Sequence, residues 1–179
     1  MGGVGSVANY LLKPGPAGPE IKEEGDALAW ATRRNVGFRF TDSTVFIELR
    51  KGPVKLRGVE FDLTGDTARQ LGNPMIARMR PGADFRDTPE GYPLTAEQLR
   101  RFEFEEPTPV KGAVLTVPAG QETAFYVLLL GFEIVGEGRT VRGAPSFTYT
   151  TEESWRTKTF HINISLSICS PQSEADTPC

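Results

Sequence analysis

The sequence predicts an all-β chain: a single, mainly antiparallel β-sandwich with one short helix in a long connection. Three observations carry that expectation. Gly and Pro together make 33 of 179 residues, about half again the usual share, which suits many turns between short strands. Period-2 alternation of apolar residues recurs between residues 28 and 169, the mark of half-buried strands. The best helix candidate, "TAEQLRRF" at residues 95–102, is short and carries the chemistry of a helix start. A chain of this length buries roughly 70% of its unfolded surface, so a core can form without metal or disulfide.

Residues 1–26 mix Gly, Pro and charge and end in "IKEEGD", a composition that predicts a flexible leader; its apolar piece "ANYLL" could dock on the domain. Residues 27–169 form the β-sandwich domain. "NVGFRF" places Val36, Phe38 and Phe40 on one face, and "TVFIELR" alternates Val45, Ile47 and Leu49. In "VKLRGVEFDL" the parity changes: Val54 and Leu56 share one, Val59, Phe61 and Leu63 the other, with Gly58 at the change. A period that slips by one residue at a glycine predicts a β-bulge.

Residues 64–94 are rich in turn formers, which predicts a long connection holding one small strand or turn of helix. In "TAEQLRRF" Thr95 caps the first turn and Gln98 returns the bond. Pro107 and Pro109 terminate the segment after this helix. "VLTVPAGQETAFYVLLLGFEIV" reads as a strand, a turn at Pro118, Ala119 and Gly120, and a second strand apolar on both parities. Such a strand belongs in the middle of a sheet with both faces covered. "SFTYT" alternates Phe147 and Tyr149. "TFHINISLSIC" alternates Phe160, Ile162, Ile164, Leu166 and Ile168 without a fault, so residues 159–169 read as one half-buried strand. Residues 170–179 form a polar tail that frays.

Composition excludes several functions. The net charge of −3 and pI near 5.3 supply no basic face for a nucleic acid; the arginines at 78, 80, 86, 100 and 101 sit among acids. The most apolar run, residues 124–132, is bounded by Glu122 and Glu133 and is far short of the ~20 residues of a spanning helix. The visible N-terminus has no basic start or long apolar stretch, so no signal peptide is expected there.

Candidate chemistry is sparse. His161 and Cys169 share the polar face of one predicted strand, about 26 Å apart at ~3.3 Å per residue, while a nucleophile and its base need ~3 Å. His161 therefore reads as a solvent-facing residue. Cys169 reads as an inert thiol or as a disulfide partner of Cys179. The nine residues between the cysteines suffice for their Cα atoms to approach within ~7 Å. One histidine and two cysteines do not make a zinc site. Met75 and Met79 could offer soft ligands to Cu(I) together with His161, although methionines more often fill core gaps. Asp84, Asp87 and Glu90 lie on a predicted loop without calcium-loop spacing. Glu103, Glu105 or Glu106 could supply carboxylates for glycosidase-type catalysis, but pairs of acids occur in any acidic chain and carry little signal without a cleft. "GGVG" follows no strand and fits no phosphate loop. "NIS" at Asn163 is formally a glycosylation acceptor.

The blocks "VGFRFTDSTVFIELRKGPVKLRGVEFDL" and "LTVPAGQETAFYVLLLGFEI", with an alternating last strand ending in Cys, resemble the extracytoplasmic, immunoglobulin-like β-sandwich proteins common in actinobacteria. The resemblance spans residues 36–169. It implies an immunoglobulin-like sandwich whose Pro-x-Gly turn, here Pro118 to Gly120, precedes the central strand. It implies location outside the cytoplasm, from which the visible N-terminus departs; without an upstream signal the chain would be cytoplasmic. It transfers no catalytic residue. The expectation is thus a non-enzymatic binding or structural module with an unknown protein or cell-envelope partner. No catalytic, cofactor-binding or metal residue is assigned, and no cofactor. The alternative is a small hydrolase or ligand-binding enzyme with its site on the 64–109 connection. Ligand and oligomeric state stay open.

Overall fold

A computed structural model of the chain describes residues 14–23, 26–83, 86–174 and 178–179. The strands are β1 (Gly15–Pro16), β2 (Ile21–Lys22), β3 (Leu28–Arg33), β4 (Arg39–Leu49), β5 (Val54–Glu60), β6 (Leu63–Thr64) and β7 (Ala68–Arg78). Helix α1 (Ala96–Arg101) comes next, then β8 (Thr108–Pro109), β9 (Val114–Leu115), β10 (Ala124–Ile134), β11 (Gly138–Arg142), β12 (Ser146–Thr151), β13 (Ser154–His161) and β14 (Ile164–Ser170). The all-β class is as expected. The strands form three sheets, ordered β1-β13-β12-β5-β9, β2-β4-β10-β7-β8 and β3-β14-β11-β6. Pairing is antiparallel except for β1 with β13 and β3 with β14.

One apolar cluster draws on all three sheets. Val54, Leu56, Phe147, Tyr149 and Phe160 come from the first, Val45, Ile47, Leu49, Leu128 and Phe132 from the second, and Ile164, Leu166 and Ile168 from the third. A second cluster covers the other face of the middle sheet, where Phe46, Ala77, Met79, Val127 and Leu129 meet Leu99, Phe102 and Phe104. This explains why β10 is apolar on both parities. It lies between β4 and β7, with even residues in one cluster and Val127 and Leu129 in the other.

Bulges set the parity elsewhere. Thr148 opposes Gly58 and Tyr149 opposes Leu56, so Arg57 is the extra residue and both Leu56 and Val59 pack on the core; this is the slip expected at Gly58. In β4, Val45 opposes Leu128 and Asp42 opposes Leu130. The extra residue there turns Asp42 inward. Its Oδ2 accepts from Arg142 Nε at 2.9 Å, and Oδ1 accepts from Thr44 N at 3.0 Å and Thr44 Oγ1 at 2.6 Å. Arg142, with no exposed surface, also donates to Gly143 O at 2.9 Å, to Thr44 Oγ1 at 3.1 Å and to Ile164 O. A buried ion pair is tolerated only when its remaining donors and acceptors are matched in this way. It ties β4 of the middle sheet to β11 and the start of β14 in the third.

Several segments differ from the sequence reading. Residues 14–22, assigned to a flexible leader, supply β1 and β2, and Ile21 is buried. Glu20 pins them: its carboxylate accepts from Lys158 Nζ at 2.8 Å and from the Tyr149 hydroxyl at 3.1 Å, and that hydroxyl accepts from Gly18 N at 2.9 Å. Burial alone would raise the Glu20 pKa. Hydrogen bonds from Lys158, its own backbone and Tyr149 outweigh burial and hold the carboxyl below the ordinary value. Burial pushes the Tyr149 hydroxyl up to about 12. "ANYLL" lies outside the described residues.

In "NVGFRF" the strand begins only at Arg39, because Gly37 at φ 89° makes a turn that leaves Val36 exposed. The connection expected over residues 64–94 opens with the eleven-residue strand β7. Its period is hidden because Met75 opposes Leu129 while Leu71 opposes Gly131, so extra residues at 72–74 bulge out. The single strand expected over 159–169 is two. The Ile164 N–H bonds to the Ile162 carbonyl at 2.8 Å, a three-residue γ-type turn that carries the chain from the first sheet to the third. All five alternating apolar residues still face the core. In the tail, residues 172–174 form a short 3-10 helix and Cys179 is bonded to Cys169 with Cα atoms 5.9 Å apart.

Candidate functional site

Between β7 and β8, Leu99, Phe102 and Phe104 pack over the outer face of the middle sheet. Residues 87–91 run along the free edge of β4: Ser43 N donates to Asp87 O, Thr41 N to Pro89 O and Gly91 N to Arg39 O, at 2.8–3.1 Å. This delivers the Tyr92 ring onto two glycines. A Cβ on Gly131 would stand 2.3 Å from Tyr92 Cγ, and one on Gly72, at φ 59°, would stand 3.0 Å from Cε1. The ring fits because both positions lack a side chain. Its hydroxyl donates to Asn73 O at 2.5 Å.

Two residues beyond Pro93, Thr95 begins α1. The capping box is complete, with Gln98 N donating to Thr95 Oγ1 at 3.2 Å and Thr95 N to Gln98 Oε1 at 2.9 Å. Gln98 Nε2 also donates to Glu90 O, which ties the helix to the edge segment. Leu99 then points onto the sheet. The Phe102 end leads through Glu103, at φ 59°, back to β8, which pairs with β7.

Between helix and sheet this leaves a hollow of about 180 Å³. Met75, Leu94, Leu99 and Leu129, with Pro93 and Pro107, make its apolar wall. Its side-chain oxygens belong to Thr41, Tyr92 and Glu106. The Thr41 hydroxyl donates to Gly91 O at 2.6 Å. Burial raises the Tyr92 pKa above its ordinary value, so that hydroxyl stays protonated at neutral pH and keeps donating to Asn73. Glu106 is exposed, and among the described residues no cation pairs with it.

A wider, open cleft of about 520 Å³ lies at the far end of the same segment, between Arg78, Pro81 and Glu105 on one side and Pro118 and Phe125 on the other. Its cation is taken: Arg78 Nη2 meets Glu105 Oε1 at 2.8 Å, a hydrogen bond that raises the Arg78 pKa. The smaller hollow is the better-formed site.

Of the residues singled out by sequence, Glu106 and Met75 line this hollow. Glu105 is paired with Arg78, and Glu103 is exposed on its turn, so the three acids do not converge. Met79 fills the second apolar cluster, and His161 is exposed at the end of β13 in another sheet, so no copper set assembles. Cys169 is bonded to Cys179. Asp87 Oδ1 accepts from Thr88 N, and the Glu90 carbonyl serves the helix; Asp84 lies outside the described residues. Asn163 is exposed at the turn between β13 and β14. Among the described residues no three His, Cys, Asp or Glu side chains come together as a metal would need. No helix among them is long and apolar enough to cross a membrane. Thr41, Tyr92 and Leu129 carry no sequence signal of a site beyond the pair Tyr92–Pro93 just before a capping box.

Comparison of the chain with family models, with curated proteins and with solved structures found no significant match.

Proposed function

We propose that this chain is a non-enzymatic, extracytoplasmic binding module of immunoglobulin-like β-sandwich type, and that its ligand site is the hollow under α1. The observation that carries this is the lining. Six apolar residues line it beside Thr41, Tyr92 and Glu106, and the Thr41 and Tyr92 hydroxyls already give their protons to backbone carbonyls. A few placed polar groups in an apolar concavity suit recognition. A hydrolase on the same segment would need a nucleophile hydrogen-bonded to a base, and the Thr41 proton is directed instead at Gly91 O. The Cys169–Cys179 bond supports a place outside the cytoplasm, because disulfides persist in oxidising compartments.

The test is an amide-resolved NMR screen with small apolar probes of either charge and none. Shifts centred on Tyr92, Leu99 and Leu129 are expected. Ester turnover that disappears in Thr41→Ala would replace this reading with the hydrolase. Shifts centred on the Arg78–Phe125 cleft would move the site.

A further inference from the structure

We infer that the hollow selects a small organic cation, a protonated primary amine on an apolar body about one ring in size. This rests on the hollow being the ligand site. Size sets the body. An apolar cavity of about 150 Å³ takes benzene, so about 180 Å³ takes one ring and a short arm. Met75, Leu94, Leu99 and Leu129 offer that ring no polar partner.

The head group is set by a count of donors and acceptors. Thr41 Oγ1 and Tyr92 Oη have committed their protons to Gly91 O and Asn73 O. Thr41 is fully buried beneath the lining and offers a ligand nothing; Tyr92 Oη still has a lone pair, so toward a ligand it can only accept. An ionised Glu106 also only accepts, and it brings a full negative charge. Pro93 and Pro107 have no N–H to give. The Thr41 and Leu99 amides are bonded to Pro89 O and Thr95 O. The side chains of the site therefore offer acceptors alone. An ammonium is their complement, with three donors and no acceptor. Against these side chains a carboxylate or phosphate would meet acceptors and a like charge. A neutral ring would fill the wall but leave Glu106 unmatched.

The experiment titrates the whole protein with benzylamine, benzyl alcohol and benzoate at low ionic strength, reading amide shifts around the hollow. Benzylamine should bind with a dissociation constant on the order of 1 mM, a reasonable range for about eight non-hydrogen atoms. Benzyl alcohol should bind about two- to fivefold more weakly, the effect of one solvent-facing charge, and benzoate weakest of all. Added salt should narrow the gap. Glu106→Gln, at an exposed position, should remove the preference while keeping the alcohol's affinity. Leu94→Phe should fill the hollow and weaken benzylamine at least tenfold, with unchanged circular dichroism as the folding control. Equal binding of amine and alcohol, or tighter binding of benzoate, would overturn the cation inference while leaving the hollow as a site. No hollow shift with any of the three, or benzylamine binding insensitive to both variants, would overturn the site and the inference together.

Discussion

Arg142→Met tests the polar link between the middle and third sheets. The methionine fills similar volume but removes the guanidinium donors from which Asp42, Thr44, Gly143 and Ile164 accept. The Asp42 carboxylate would stay buried, held only by the Thr44 backbone and hydroxyl. Removing one partner of a buried pair typically costs about 3–5 kcal/mol, a large share of the roughly 5–15 kcal/mol of a whole domain. With a urea slope of about 2 kcal/mol per M, the unfolding midpoint should fall by about 1.5–2.5 M. Trp30 and Trp155 fluorescence and far-ultraviolet circular dichroism would track the transition. Adding Asp42→Ala removes the stranded charge. The double variant should then recover about 1–3 kcal/mol relative to the sum of the singles. A loss below about 1 kcal/mol in Arg142→Met, or additive singles, would refute the argument that this pair depends on complete matching.

Gly131→Ala would drive a methyl into the Tyr92 ring; a loss of about 1–3 kcal/mol is expected from overpacking, with Tyr92 amide shifts as the site-specific readout. Cys169→Ala with Cys179→Ala should lower stability by roughly 2–3 kcal/mol, the chain-entropy value for a loop of this length, measured against the oxidised protein in urea. Tyr149, raised to about 12 when folded against about 10 unfolded, contributes stability that is full below about pH 10 and is lost as pH rises toward 12. Tyr149→Phe should cost about 1 kcal/mol at neutral pH and show a shallower loss in urea midpoints between about pH 10 and pH 12. His161→Ala, at an exposed strand end, should change the midpoint by no more than the ~0.5 kcal/mol of a surface substitution.

Residues whose neighbours in space are neighbours in sequence were legible. The slip at Gly58, the Thr95–Gln98 box and the turn before β10 are each written within about ten residues. What depended on distant partners was not. The bulge at residues 72–74 scrambled the period of β7, and only the opposing Leu129 and Gly131 reveal it. Arg142 sits at the end of "RTVR", where an arginine reads as exposed; its burial is imposed by Asp42, a hundred positions earlier. The alternation through residues 159–169 held because inward parity survives the turn at Ile162, and that same continuity concealed the change of sheet. The hollow needs Thr41, Tyr92, Glu106 and Leu129 brought from four separate parts of the chain, so no local pattern announced it.

The pairing of β3 with β14 carries a consequence for how the chain folds as it is made. Among the described residues β3 pairs along its length with β14, Leu28 to Arg33 against Ile164 to Cys169, and β11 finds its long partner there too. The first and middle sheets can pair most of their strands earlier, while the third waits for nearly the last segment to emerge. Until then the Arg142 guanidinium lacks the Ile164 carbonyl, and Leu28 and Trp30 stay on an open edge. Pairings across so much chain form slowly, and an unpaired apolar edge invites association with other chains. For a nascent molecule stalled or truncated before residue 164, aggregation through that edge is the failure to look for.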